Sequence, residues 1–279
     1  SVRPLAAGRR ELVRAILVMA LPLGVATVFT NLNTRIGTFV LGELRTDFDV
    51  GIYNAALRFL DVSAMAAVLM VTPLIPIFAQ RAVSDRPGLA RDYAALIEHL
   101  GAVILPGLVL LPHLSGPIVD LAFGAEFAPA APVLNVLGIS AGFVFFSLAS
   151  SAANVALGVV RHGYWVGALA VAVNLSLAVP LAVRHGALGA AWGTLAAEVA
   201  MLGVSQYYTG TALGKVIRKR RWAGIVLLSA ALYAWLEASP LPLAPSVGCG
   251  AVAYAAAAFG FGLLDPRHWL RRRARPADA

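Results

Sequence analysis

Arg58 and Asp61 stand three residues apart in the stretch VGIYNAALRFLD, Val50 to Asp61. On a helix that spacing puts both on one face. The run around them is apolar, and an isolated charge at membrane depth costs at least about 2.5–3.5 kcal/mol. Such a group needs a partner, water or a bound ion. Two arrangements fit. Either the two charges pair with each other and turn towards a neighbouring helix, or their face lines a hydrophilic cavity with Arg58 open to an anionic substrate. Arg suits phosphate because its planar fork offers paired hydrogen bonds and its charge is permanent. Asp61 then either orients Arg58 or takes part in ion or proton coupling.

Four other polar residues lie in or near apolar runs and join them as cavity candidates: Arg35, Asn33, Asn54 and Glu198. Arg35 either reaches the same cavity or extends its side chain to the outer interface. Glu198, in GALGAAWGTLAAEVAML, fits a helix-packing carboxyl as well as a transport role. Asn31 adds an amide nearby, and Glu98, near the inner end of its run, is expected to be exposed.

Nothing else in the chain points to covalent chemistry. The five histidines are scattered, and with the single Cys249 they give no metal-binding spacing. Cys249 lies in an apolar run and is expected to be a small buried hydrophobe. GTALGK, Gly210 to Lys215, lacks the spacing and the Ser/Thr of a phosphate-binding loop. Asn174-Leu175-Ser176 matches a glycosylation sequon inside an apolar run, where it has no meaning. No enzyme, cofactor, metal or nucleic-acid partner is expected.

The elements that must position these residues follow from composition. The chain is 59% hydrophobic and 13% charged; a soluble domain is nearer half apolar and one quarter charged. The apolar residues gather in runs of about twenty, the length that crosses a bilayer core. Eight spans are expected, at roughly residues 12–41, 51–79, 93–114, 128–159, 164–183, 187–213, 222–237 and 243–264. The fold class is therefore all-α, a polytopic membrane helix bundle.

Most of the 22 Lys and Arg residues fall in the termini and in alternate connections, such as RAVSDRPGLARD and GKVIRKRRW. The connections between them hold only Arg45 and Arg184. By the positive-inside rule both termini are cytoplasmic, which agrees with an even number of spans. Tyr and Trp residues cluster near the span ends, as in an aromatic belt. Glycines four apart, including Gly138/Gly142 and Gly189/Gly193, suit close helix packing. Pro22, Pro73, Pro76, Pro106 and Pro180 fit either bending helices or static kinks. The basic start and apolar run are too long for a cleaved signal.

Several segments together resemble a family. ALPLGVATVFTNLNTRIGTFVLGEL, VGIYNAALRFLD and PLIPIFAQ resemble the opening of the second half of bacterial polysaccharide and O-antigen flippases. FGAEFAPAAPVLNVLGISAGFVFFSLASSAANVALGVVRHGYWVGALAVAVNLSLAVPL and HGALGAAWGTLAAE resemble their C-terminal region. These proteins belong to the multidrug/oligosaccharidyl-lipid/polysaccharide exporter superfamily, and the resemblance covers roughly residues 20–208. It implies two six-helix lobes that rock about a central cavity, often with two added helices, and undecaprenyl-diphosphate-linked glycan as substrate in the bacterial inner membrane. It makes Arg58 and Arg35 candidate headgroup contacts. Residues 1–213 would be the second lobe, and 214–279 two additional helices with a basic cytoplasmic tail. The first lobe would be the chain's natural partner, and the chain a segment of a two-lobe protein. The rival expectations are a cation-coupled multidrug exporter of the same superfamily and a non-transporting membrane scaffold or assembly subunit. A membrane glycosyltransferase or polymerase is disfavoured by short loops and the absence of paired carboxylates.

Overall fold

The computed structural model describes residues 9–159, 163–214 and 218–263. The expected basic tail lies outside them. Among the described residues all regular structure is helical: α1 (Arg9–Leu44), α2 (Asp47–Val71), α3 (Ile75–Ser84), α4 (Arg86–Phe123), α5 (Ala130–Ala156), α6 (Gly163–Leu213), α7 (Lys219–Ala238) and α8 (Leu243–Gly260), with short 3-10 turns after α2 and α4. Five of the helical stretches are long and apolar enough to cross a membrane, α2 and α3 counting as one.

The breaks follow local chemistry. Thr46 caps α2, accepting from the Asp49 backbone N–H, and Asp47 and Asp49 add negative charge to the first turn. Pro73 and Pro76 stand at the starts of the turn Thr72–Leu74 and of α3, so the expected second span is two helices. Asp85 caps α4 by accepting from the Gly88 N–H at 2.8 Å. Gly124, at φ 89°, ends α4.

The fifth and sixth expected spans run as one helical stretch broken only at Gly186, whose φ of 57° and ψ of −136° are non-helical. Only glycine adopts such a backbone without penalty. The chain folds back there into two packed halves, α6a (residues 163–185) and α6b (187–213). A side chain on Gly189 would strike the Leu181 carbonyl, and one on Gly193 would come within 2.7 Å of Ala178. The glycine pair expected to mark close packing marks this hairpin.

One core joins α1, α2, α5 and α6 around Leu41, Tyr53, Leu57 and Leu137; a second joins α3, α4 and α5 around Phe78, Leu89 and Tyr93. A third, around Ile225, Leu232, Tyr254 and Ala258, holds α7 and α8 against α4. Two arginines at the start of α7 reinforce that seat. Arg218 grips Glu98 through Nε at 2.7 Å and Nη2 at 2.8 Å, and Arg221 adds a contact at 3.3 Å. Glu98 is buried, not exposed as its place near the run's end suggested, because α7 covers it. Cys249 also corrects its expectation: it is exposed.

Candidate functional site

The charged residues of the first two spans meet on the exposed face of α1 and α2. Arg35 donates from Nη2 to Asp61 Oδ2 at 3.2 Å, joining the two helices. Asp61 therefore pairs with Arg35, not with Arg58 on its own helix. Arg35 lies about 14 Å from the Leu44 end of α1, at 1.5 Å per residue. It reaches sideways to a carboxylate at that depth and does not extend to the interface. The pair remains open, with side chains 52% and 43% exposed.

Arg58 is exposed beside this pair and has no ion-pair or hydrogen-bonding partner among the described residues. It lies about 10 Å beyond Gly51, where the expected span begins, roughly a third of the way into a hydrocarbon core about 30 Å thick. A free guanidinium there can offer paired N–H donors to a phosphate or carboxylate entering from that side.

The remaining sequence candidates point elsewhere. Asn54 is half-buried and accepts from the Thr38 hydroxyl at 2.9 Å, tying α2 to α1. Asn33 and Glu198 are buried between α1 and α6b, where Asn33 Nδ2 donates to Glu198 Oε1 at 3.2 Å. Asn174 of α6a completes the cluster, donating from Nδ2 to both the backbone and side-chain oxygens of Asn33 at 2.9 Å. Glu198 Oε2 and Asn174 Oδ1 are buried with no hydrogen-bond partner among the described residues. One turn away, Tyr53 and Thr194 share a hydrogen bond of 3.0 Å. Gly37 makes room for the Tyr53 ring, which a Cβ at that position would strike.

The structure thus sorts five of the six candidates into two groups. Arg35, Arg58 and Asp61 form an open charged face. Asn33 and Glu198 form a closed polar cluster behind it, and Asn54 braces the helices between. Sequence reasoning missed Asn174, whose only signal was an amide within an apolar run, and set it aside as a meaningless sequon. It also missed the Tyr53–Thr194 bond.

Residues 3–81, from the N-terminus through most of α3, match the family model described as "Polysaccharide biosynthesis protein". That stretch carries the whole charged face. The chain is also similar to a solved structure, "Lipid II flippase MurJ, inward closed conformation", with a TM-score of 0.73 and 14% identity. The alignment covers 89% of this chain and 54% of that one, so the chain spans about half the length of that protein. No curated protein matches the chain. The solved structure shows a shared fold, and the family model agrees with the resemblance to polysaccharide-biosynthesis membrane proteins over residues 3–81.

Proposed function

We propose that this flippase-fold chain forms the second lobe of an exporter that carries lipid-linked polysaccharide precursors, undecaprenyl-diphosphate-linked glycans, across the bacterial inner membrane. The observation that carries the reading is Arg58, an exposed cation inside the apolar span, unpartnered among the described residues and beside the Arg35–Asp61 pair. Its permanent charge stabilises a diphosphate that would otherwise cross hydrocarbon alone. Asp61 holds Arg35 sideways, so two guanidinium groups present themselves on one face. A first lobe supplies the facing wall, and rocking of the lobes exposes the face to each side in turn. Both termini are cytoplasmic on this reading, which the distribution of basic residues supports. Nothing is cleaved or formed; the lipid-linked glycan moves unchanged.

The test is Arg58→Ala in the full-length protein. Polymer export, measured as surface polysaccharide, is expected to be lost while membrane insertion and abundance stay at wild-type levels. Normal export from that variant would remove Arg58 from the transport route.

One observation favours a second reading. Glu198 is a buried carboxyl with one oxygen unpartnered among the described residues, the kind of group a cation-coupled drug exporter uses. If that reading holds, deletion of the gene raises drug sensitivity and leaves surface polysaccharide intact; the flippase reading requires the reverse.

A further inference from the structure

A cavity of about 230 Å³ lies between α2, α4 and α5. Its walls include Phe59, Gly107, Gly138, Ala141 and Phe145, and Ser63 supplies the one polar side chain. The Ser63 hydroxyl is already committed, donating to the Phe59 carbonyl at 2.7 Å. The space therefore offers water almost no hydrogen bonds and suits an apolar guest. Glycine shapes the wall. Leu111 closes over Gly138, where a Cβ would strike it, while a Cβ on Gly107 would meet nothing within 4 Å.

The cavity adjoins the charged face. Phe59, one of its walls, follows Arg58 directly, so a free cation and an apolar slot are neighbours on α2. Their shared depth decides what can use both. Arg58 is about 10 Å inside the span that begins at Gly51, roughly a third of the thickness of the hydrocarbon core. A bulk phospholipid fills the slot with an acyl chain but keeps its phosphate at the interface, far from Arg58. Only a lipid whose anionic head is being carried through the bilayer brings phosphate and chain to this level together.

We infer that the α2–α4–α5 cavity seats the phosphate-proximal part of a polyprenyl chain while Arg58 holds the phosphate. The inference rests on the flippase reading above and adds a second contact to it. At about 30 Å³ per water-sized group the space takes on the order of eight carbons, roughly one to two isoprene units. The rest of the chain remains in the bilayer.

The test uses the full-length protein in detergent. Binding of undecaprenyl phosphate and of phosphatidylglycerol is titrated by native mass spectrometry for wild type, Gly107→Ala and Gly107→Leu. Gly107→Leu fills the slot and is expected to weaken undecaprenyl phosphate by about tenfold or more. Gly107→Ala should change little, and phosphatidylglycerol binding should be unchanged in both. Phe145→Trp, which narrows the slot from the facing wall, is expected to act like Gly107→Leu and covers the case in which that variant misfolds. Equal undecaprenyl phosphate binding by wild type and both slot-filling variants overturns the cavity assignment and leaves the flippase reading standing. Equal loss of both lipids assigns the slot to bulk phospholipid and also overturns it. Failure of the wild type to bind undecaprenyl phosphate removes the flippase reading and this inference together.

Discussion

Two buried glutamates solve the same problem in different ways. Glu98 is matched by two arginines whose own side chains are 48% and 40% exposed. The cost of breaking this contact is therefore lopsided. Removing both arginines leaves an unpaired carboxylate inside the protein, a change of about 3–5 kcal/mol. Removing the carboxylate charge leaves two arginines that turn to solvent. Arg218→Ala with Arg221→Ala is accordingly expected to lower the thermal midpoint far more than Glu98→Gln, as read by fluorescence-monitored unfolding in detergent. Among the described residues Glu198 has only Asn33 as a hydrogen-bond partner. Glu198→Leu strands the Asn33 amide, at about 1–3 kcal/mol, whereas Glu198→Gln keeps a carbonyl acceptor and should be nearly neutral in the same assay. Equal midpoints for the two variants would mean that the Asn33 bond contributes nothing. Sequence made Arg35, Arg58, Asp61 and Glu198 legible because charge in an apolar run is conspicuous. Their partners were hidden, since Arg218 stands 120 positions from Glu98 and Glu198 stands 165 from Asn33.

At the scale of elements, the helices themselves were legible because runs of about twenty apolar residues have one structured outcome in a bilayer. The divisions within them were less so. Pro73 and Pro76 announced the break between α2 and α3 through a missing backbone donor. RHG, Arg184 to Gly186, looked like an ordinary loop, yet the chain reverses at Gly186 alone. The α1–α2 connection crowns this turn, with Asp49 and Arg45 lying where a Gly186 side chain would go. Gly186→Ala is expected to destabilise the hairpin by about 1–3 kcal/mol through its positive-φ backbone alone, and by more through the crowding. Gly193→Leu should be worse, because the obstacle there is the backbone of α6a and cannot swing away. Loss of a monodisperse peak on size-exclusion chromatography for Gly193→Leu, with partial retention for Gly186→Ala, is the expected order. The reverse order would place the constraint at the turn and not in the packing below it.

For the whole molecule, exposure alone does not say what a surface faces. Val62 on α2 and Leu227 on α7 are equally exposed, each at 69%. Both are apolar, so hydropathy does not separate them. Their neighbours do. Val62 sits one residue beyond Asp61 and one turn beyond Arg58, whereas the surface of α7 around Leu227 carries Val226 and other apolar groups. Charges at that depth are tolerable only where water or a polar partner reaches them. Val62 is therefore expected to face a wet cavity and Leu227 to face lipid. Thiol accessibility separates the two media, because a membrane-impermeant methanethiosulfonate reacts in water and not in hydrocarbon. Cys249 is exposed and is the chain's one cysteine, so it is first replaced by serine. On that background Val62→Cys in the full-length protein should be modified in membranes much faster than Leu227→Cys. Added inorganic pyrophosphate should slow the Val62→Cys reaction if Arg58 binds it nearby. Equal and slow modification at both positions would mean that the α2 face meets lipid, and the charged face would then need a protein partner in place of a substrate.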